Sequence, residues 1–176
     1  KLSHLDISGF NVFTARKKIE LAGFLSGEAS VSDPLNKPLF LSALVVDDFV
    51  LNSEKLGTGK IHGFWNNNDR KIELLVETVK EENKQLQIRG DYFPGTDILD
   101  FGIDINRLNV AMFEPFLSIL MSDLHGTGTG SLTLGGTLKD PDLNGHVRLQ
   151  KTSLLVNYLF TRYTFTNDVR ILHNNI

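Results

Sequence analysis

The sequence predicts an all-β protein, an antiparallel sheet of roughly ten to fourteen strands with one short amphipathic helix. Three observations carry this. Apolar and polar residues alternate with period two along much of the chain, as they must where successive side chains of a strand point to opposite faces. Turn-forming clusters interrupt these runs about every 8 to 14 residues. One segment alone, from Met112 to Leu124, changes to three- and four-residue apolar spacing.

In chain order, Ile19, Leu21 and Leu25 open the alternation. Ile72, Leu74 and Val76 then oppose Lys71, Glu73, Leu75 and Glu77, and Leu86, Ile88 and Tyr92 oppose Gln85, Gln87, Arg89 and Asp91. The sharpest run sets Leu99, Phe101, Ile103 and Ile105 against Asp100, Gly102 and Asp104. In the exceptional segment Phe113, Phe116, Leu117, Leu120, Met121 and Leu124 fall on one side of a helix, with Pro115 in its first turn, where a missing N–H costs nothing. Leu132, Leu134, Gly136 and Leu138 follow on one face, and after Asp140-Pro141 so do Leu143, Gly145, Val147 and Leu149. Asn66-Asn67-Asn68-Asp69, Glu81-Glu82-Asn83-Lys84, Pro94-Gly95-Thr96-Asp97 and Asn167-Asp168 supply the reversals. A faint internal echo relates Ser26-Gly27, Asp33-Pro34 and Leu44–Asn52 to Gly135-Gly136, Asp140-Pro141 and Leu149–Asn157. Whether Phe10, Phe13, Phe24, Phe40, Phe64 and Trp65 face inwards stays open at this level.

Composition narrows the function. The 176 residues are 41% hydrophobic and 22% charged, with 18 Lys+Arg against 21 Asp+Glu and a formal charge of −3. That balance gives nucleic acid no basic surface to bind. No cysteine is present, which removes disulfides, thiolate metal sites and cysteine nucleophiles together. His4, His62, His125, His146 and His173 are dispersed and match no metal-binding spacing, so no metal site is expected. Gly126–Gly130 lacks the third glycine and the following helix of a phosphate loop, and Gly59-Lys60 lacks the rest of a Walker motif. Asp47-Asp48 and the Asp100/Asp104 pair read as solvated acids rather than as acid–base partners. No cofactor and no enzymatic activity are expected. The chain starts in a strand and stops without a terminator, so it reads as a piece, residues 1–176, of a longer protein.

A many-stranded sheet with one apolar face must hide it in a sandwich, a closed barrel or a curled sheet. Periodicity does not choose among them. The stretch Gly126–Leu149, with Gly128, Gly130, Leu132, Leu134, Gly136, Leu138, Pro141, Leu143, Gly145, Val147 and Leu149, preceded by Phe113-Glu-Pro-Phe-Leu117, resembles the recurrent unit of the AsmA-like superfamily. Within it the likeness is to the TamB-like (translocation and assembly module) family of the Bacteroidetes type, near its C-terminal region, and Leu155–Phe165 is similar to the segment that follows in those proteins. The match covers Leu108 to Ile176, whereas residues 1–107 share only the style of alternation.

The resemblance implies a β-taco, an open antiparallel groove. It implies a periplasmic location within an inner-membrane-anchored protein of Gram-negative bacteria, and an outer-membrane barrel partner of the TamA/BamA type. The apolar interior is linked in that family to phospholipid transport and to outer-membrane biogenesis. The family supplies no catalytic residues. The expectation is therefore that Leu99, Phe101, Ile103, Ile105, Leu132, Leu134, Leu138, Leu143, Val147 and Leu149 line a groove for phospholipid acyl chains, a trough of about 50 Å at the usual strand spacing. Two other readings stand beside it: an assembly module pairing with outer-membrane β-barrel proteins by strand addition, and a ligand-free structural β-sandwich. Exposed edge strands would also allow self-association.

Overall fold

Every strand of the chain but the last turns back on the one before it. The computed structural model describes residues 1–14, 18–32 and 39–172. Asp33-Pro34 of the internal echo and His173 lie outside the described residues. β1 (Leu2–Asp6), β2 (Leu21–Ser32), β3 (Leu39–Leu51), β4 (Glu54–Asn66), β5 (Lys71–Lys80) and β6 (Asn83–Phe93) are followed by β7 (Ile98–Asn109), β8 (Met121–Gly136) and β9 (Pro141–Val156). β10 (Thr161–Phe165) and β11 (Asp168–Ile171) both pair with β9, one after the other along its free side. Among the described residues the result is one antiparallel sheet of eleven strands, β1 to β10 in sequential order and β11 beside β10 on β9, which does not close on itself and is not a two-sheet sandwich. β7 crosses the boundary at residue 107, so the sheet is continuous through it.

The sharpest alternating run falls where the sequence puts it. Leu99, Phe101 and Ile105 are buried while Asp100, Gly102 and Asp104 are exposed. The inner face also shows a repeated pairing that the strand pattern alone does not announce: a glycine opposite a large side chain. Gly27 faces Leu44, Gly63 faces Leu74, Gly90 faces Phe101, Gly130 faces Val147, and Gly145 faces Leu132. A Cβ at Gly90 would stand 2.0 Å from the Asp100 carbonyl oxygen, and one at Gly130 would stand 2.1 Å from that of His146. Strands this close on the concave side leave no room for a second side chain, which is how glycine admits curvature.

The curl is fastened across the sheet. The Asn52 side chain, in the β3–β4 turn, accepts from the Glu20 N–H (2.8 Å) and donates to the Met112 carbonyl (2.9 Å). Asn109 donates to Glu54 Oε2 at 2.9 Å. On the sheet's order β4 and β7 are three strands apart. These bonds, with Leu56, Ile105, Leu108, Met112, Leu132 and Val147 packed in one core, draw them together.

The expected helix over Met112–Leu124 is corrected. A 3-10 turn, Val110–Phe113, runs into a single α turn, Glu114–Leu117, and β8 begins at Met121. Asn109 Oδ1 caps the 3-10 turn at the Ala111 N–H, and the Leu120 N–H closes the α turn on the Leu117 carbonyl. Beyond that point pairing of Met121 and Ser122 with Val156 and Leu155 wins over helical propagation. A four-residue helix cannot offset its own nucleation cost. Among the described residues no helix is long and apolar enough to cross a membrane.

Candidate functional site: an apolar slot under the strap

The segment 110–117 forms a strap over the inner face of β8 and β9. It is held at three points: by Asn109 to Glu54, by Asn52 to Met112, and by Glu114, whose carboxylate accepts the Leu124 N–H at 2.8 Å. Beneath it lies a cavity of about 560 Å³. Ile105 and Leu108 of β7 line one side, Leu124 and Leu132 of β8 and Leu143 to Leu154 of β9 the floor, and Phe165, Val169 and Ile171 of β10 and β11 the other side. Val110, Phe113 and Leu117 of the strap form the roof. The single polar side chain in this lining is Thr152, fully buried, whose hydroxyl donates to the Gln150 carbonyl at 3.4 Å. Gly128 keeps the floor low, since a Cβ there would meet Val147 Cγ1 at 2.9 Å.

Of the ten groove residues expected from sequence, Ile105, Leu132, Leu143, Val147 and Leu149 line this slot. Ile103 packs half-buried against the core beside it, and Leu134 is half-buried on the same face. Leu99 and Phe101 are buried on the inner face but away from the slot. Leu138 is corrected: it is 60% exposed. β8 stops at Gly136, whose φ of 74° turns the chain, and the reversal is closed by Thr137 and Asp140. Alternation in sequence ran on past the strand's end.

Leu108, Val110, Leu154, Phe165, Val169 and Ile171 line the slot without having been singled out for it. Val169 and Ile171 carry the period-two signal, but over four residues it is too short to read. Leu108 was hidden by a bulge at Arg107 (φ 51°), which puts it three residues from Ile105 on the same face.

A second, shallower depression of about 770 Å³ lies on the outer face. Its floor includes Leu75 and Phe64, and its rim carries Lys71, Glu73, Arg89, Asp91 and Asp100. These charges serve one another. Lys71 Nζ bonds Asp91 Oδ2 at 2.9 Å, which holds the ammonium above its ordinary range, and an Asn66 hydrogen bond holds the Glu73 carboxyl below its own. Among the described residues no three His, Cys, Asp or Glu side chains gather as metal ligands. His4 stacks on Phe24 at 4.1 Å, His125 bonds Asp123, and His146 is exposed.

No family model matches the chain, and neither a curated protein nor a solved structure is significantly similar to it.

Proposed function

We propose that this segment binds the acyl chains of phospholipids in the slot, and so carries or shields them as part of a periplasm-spanning protein that serves outer-membrane biogenesis. The observation that supports the reading is the slot itself: about 560 Å³ of space inside a curled sheet, with Thr152 as its one polar side chain. A site without charges or directed hydrogen-bond donors is suited to a ligand recognised by area rather than by chemistry. Each methylene buried there contributes about 0.8 kcal/mol, so eight give a gross driving force of about 6 kcal/mol. No residue in it is arranged for catalysis. The periplasmic setting and a barrel partner rest on the sequence resemblance.

The test is native mass spectrometry and fluorescent fatty-acid titration of detergent-free protein. Leu143→Asp and Leu154→Asp change half-buried floor positions rather than fully buried ones, so both variants should keep their circular dichroism and cooperative melting and lose bound lipid. Lipid occupancy unchanged in the folded variants would remove the slot as the binding site.

The second reading, assembly by strand addition, is favoured by one observation. Among the described residues β1 and the β10–β11 pair have a strand on one side only. Proline placed in β10 where an N–H points away from β9 should then weaken pairing with a barrel protein and leave lipid binding intact.

A further inference from the structure

We propose, on the reading that the slot is an acyl site, that it takes one extended chain lying lengthwise along β8 and β9, with any second chain and the headgroup left outside. The lining sets the direction. It runs from Met121 to Leu132 on β8 and from Leu143 to Leu154 on β9, eleven residue steps on each. At about 3.3 Å a step this is roughly 36 Å, or about 30–35 Å allowing for the two register shifts between these strands. Across the sheet the lining spans only β7 to the β10–β11 pair, three strand spacings or about 14 Å before the curl narrows it. The space is therefore long with the strands and short across them.

Volume then limits the number of chains. An apolar cavity of about 150 Å³ accommodates benzene, or about 25 Å³ per carbon, so about 560 Å³ holds about 22 carbons. In a zigzag of ordinary C–C bonds a chain advances about 1.3 Å per carbon, and about 22 carbons reach about 28 Å, close to the slot's length. Two chains side by side would fill the same volume in about 14 Å and leave more than half of the slot vacant. Two membrane-length chains of about sixteen carbons each would need about 800 Å³. The middle of the slot is also too tight for chains abreast: a Cβ at Gly128 would meet Val147 Cγ1 of the floor at 2.9 Å, Val110 Cγ1 of the roof at 3.5 Å and Leu149 Cδ2 at 3.6 Å. With Thr152 the one polar side chain in the lining, and its hydroxyl already given to Gln150, a phosphate or carboxylate stays outside.

Delipidated protein is titrated by native mass spectrometry with octanoic, decanoic, myristic and stearic acids, and with dioctanoyl phosphatidylglycerol and its one-chain lyso form. One fatty acid per protein chain should bind at saturation, with affinity rising up to about fourfold per added methylene. The lyso lipid and its two-chain parent should agree within about threefold, since the second chain gains no burial. Octanoic acid against the lyso lipid separates a free acid from a phospholipid as the source of the chain, and one chain per slot is the expected result with either. Leu149 stands half-buried at the midpoint of the β9 lining and Leu154 at its end. Leu149→Trp should plug the slot halfway, so that stearic acid binds within about threefold of decanoic acid, whereas Leu154→Trp should keep most of the gain with length. Leu149→Phe makes the same test should the Trp variant lose its circular dichroism. Two fatty acids per chain at saturation, a dioctanoyl lipid more than about tenfold tighter than its lyso form, or equal length profiles for the two plugs would overturn the proposal. No uptake of any chain would reject the acyl reading itself, and the one-chain arrangement with it.

Discussion

Gly130→Ala tests whether the inner-face glycines are required by the curl. An alanine Cβ there would stand 2.1 Å from the His146 carbonyl oxygen, 2.8 Å from Val147 Cα and 3.0 Å from His146 C. All three are backbone atoms of β9, so no side chain can swing aside. Restoring ordinary contact requires more than 1 Å of displacement in the ladder that forms the slot's floor, and overpacking of this kind costs roughly 1–3 kcal/mol. Gly102→Ala is the control. Gly102 lies on the outer face of β7, one strand away, and its nearest contact would be Arg89 O at 3.8 Å. With no clash, the loss of unfolded-state freedom should stabilise by about 0.4–1 kcal/mol. Urea denaturation of both variants, with midpoints compared at constant m-value, should therefore give shifts of opposite sign. Equal effects, or a harmless Gly130→Ala, would refute the idea that close strand approach on the concave face dictates glycine.

Leu56 is fully buried, and Leu56→Ala should cost about 2–5 kcal/mol, whereas Leu138→Asp should stay within about 0.5 kcal/mol and leave lipid binding intact, both measured by thermal and urea unfolding. Asn52→Ala removes the bonds to Glu20 and Met112 and replaces a residue at φ 47°, so a loss of roughly 1–3 kcal/mol is expected, with faster hydrogen exchange along the strap. Hydrogen bonds from Asn66, Lys84, Arg162 and Arg148 hold the carboxyls of Glu73, Glu77, Asp123 and Asp168, respectively, below their usual range. Folded values below unfolded ones mean stability that is present above about pH 4–4.5 and lost as pH falls through the folded values. Melting temperature should be level from neutral to about pH 5 and fall below about pH 4, with added salt shrinking the step.

The sheet was legible wherever strands are long and half-buried, as at Leu99–Ile105 and Leu143–Leu149, because one wet and one dry face enforce strict alternation. The helix reading at Met112–Leu124 failed for a definable reason. Asp123 sits in a bulge at φ 57°, where the β8–β9 register shifts. That extra residue places Met121 and Leu124 on one face at a spacing of three, which in sequence mimics a helix. The side chains still serve one place: Phe113, Leu117, Met121 and Leu124 all line the slot. Of the slot's lining, Ile105, Leu132, Leu143, Val147 and Leu149 were readable from alternation. The rest comes from the strap's fold-back and from β11 docking on β9, which depend on long-range hydrogen bonds such as Asn52 to Met112 that carry no local signal.

The strictly sequential strand order has a consequence for how the molecule assembles. Every strand except β11 docks on its immediate predecessor in the chain, so each new hairpin finds its template already made. Loop closure stays cheap throughout, and growth can zip forward from either end. A polypeptide delivered end-first through a narrow exit could thus order itself as it emerges. Only when residue 112 has appeared does Asn52 gain its carbonyl acceptor and lock sixty residues of finished ladder.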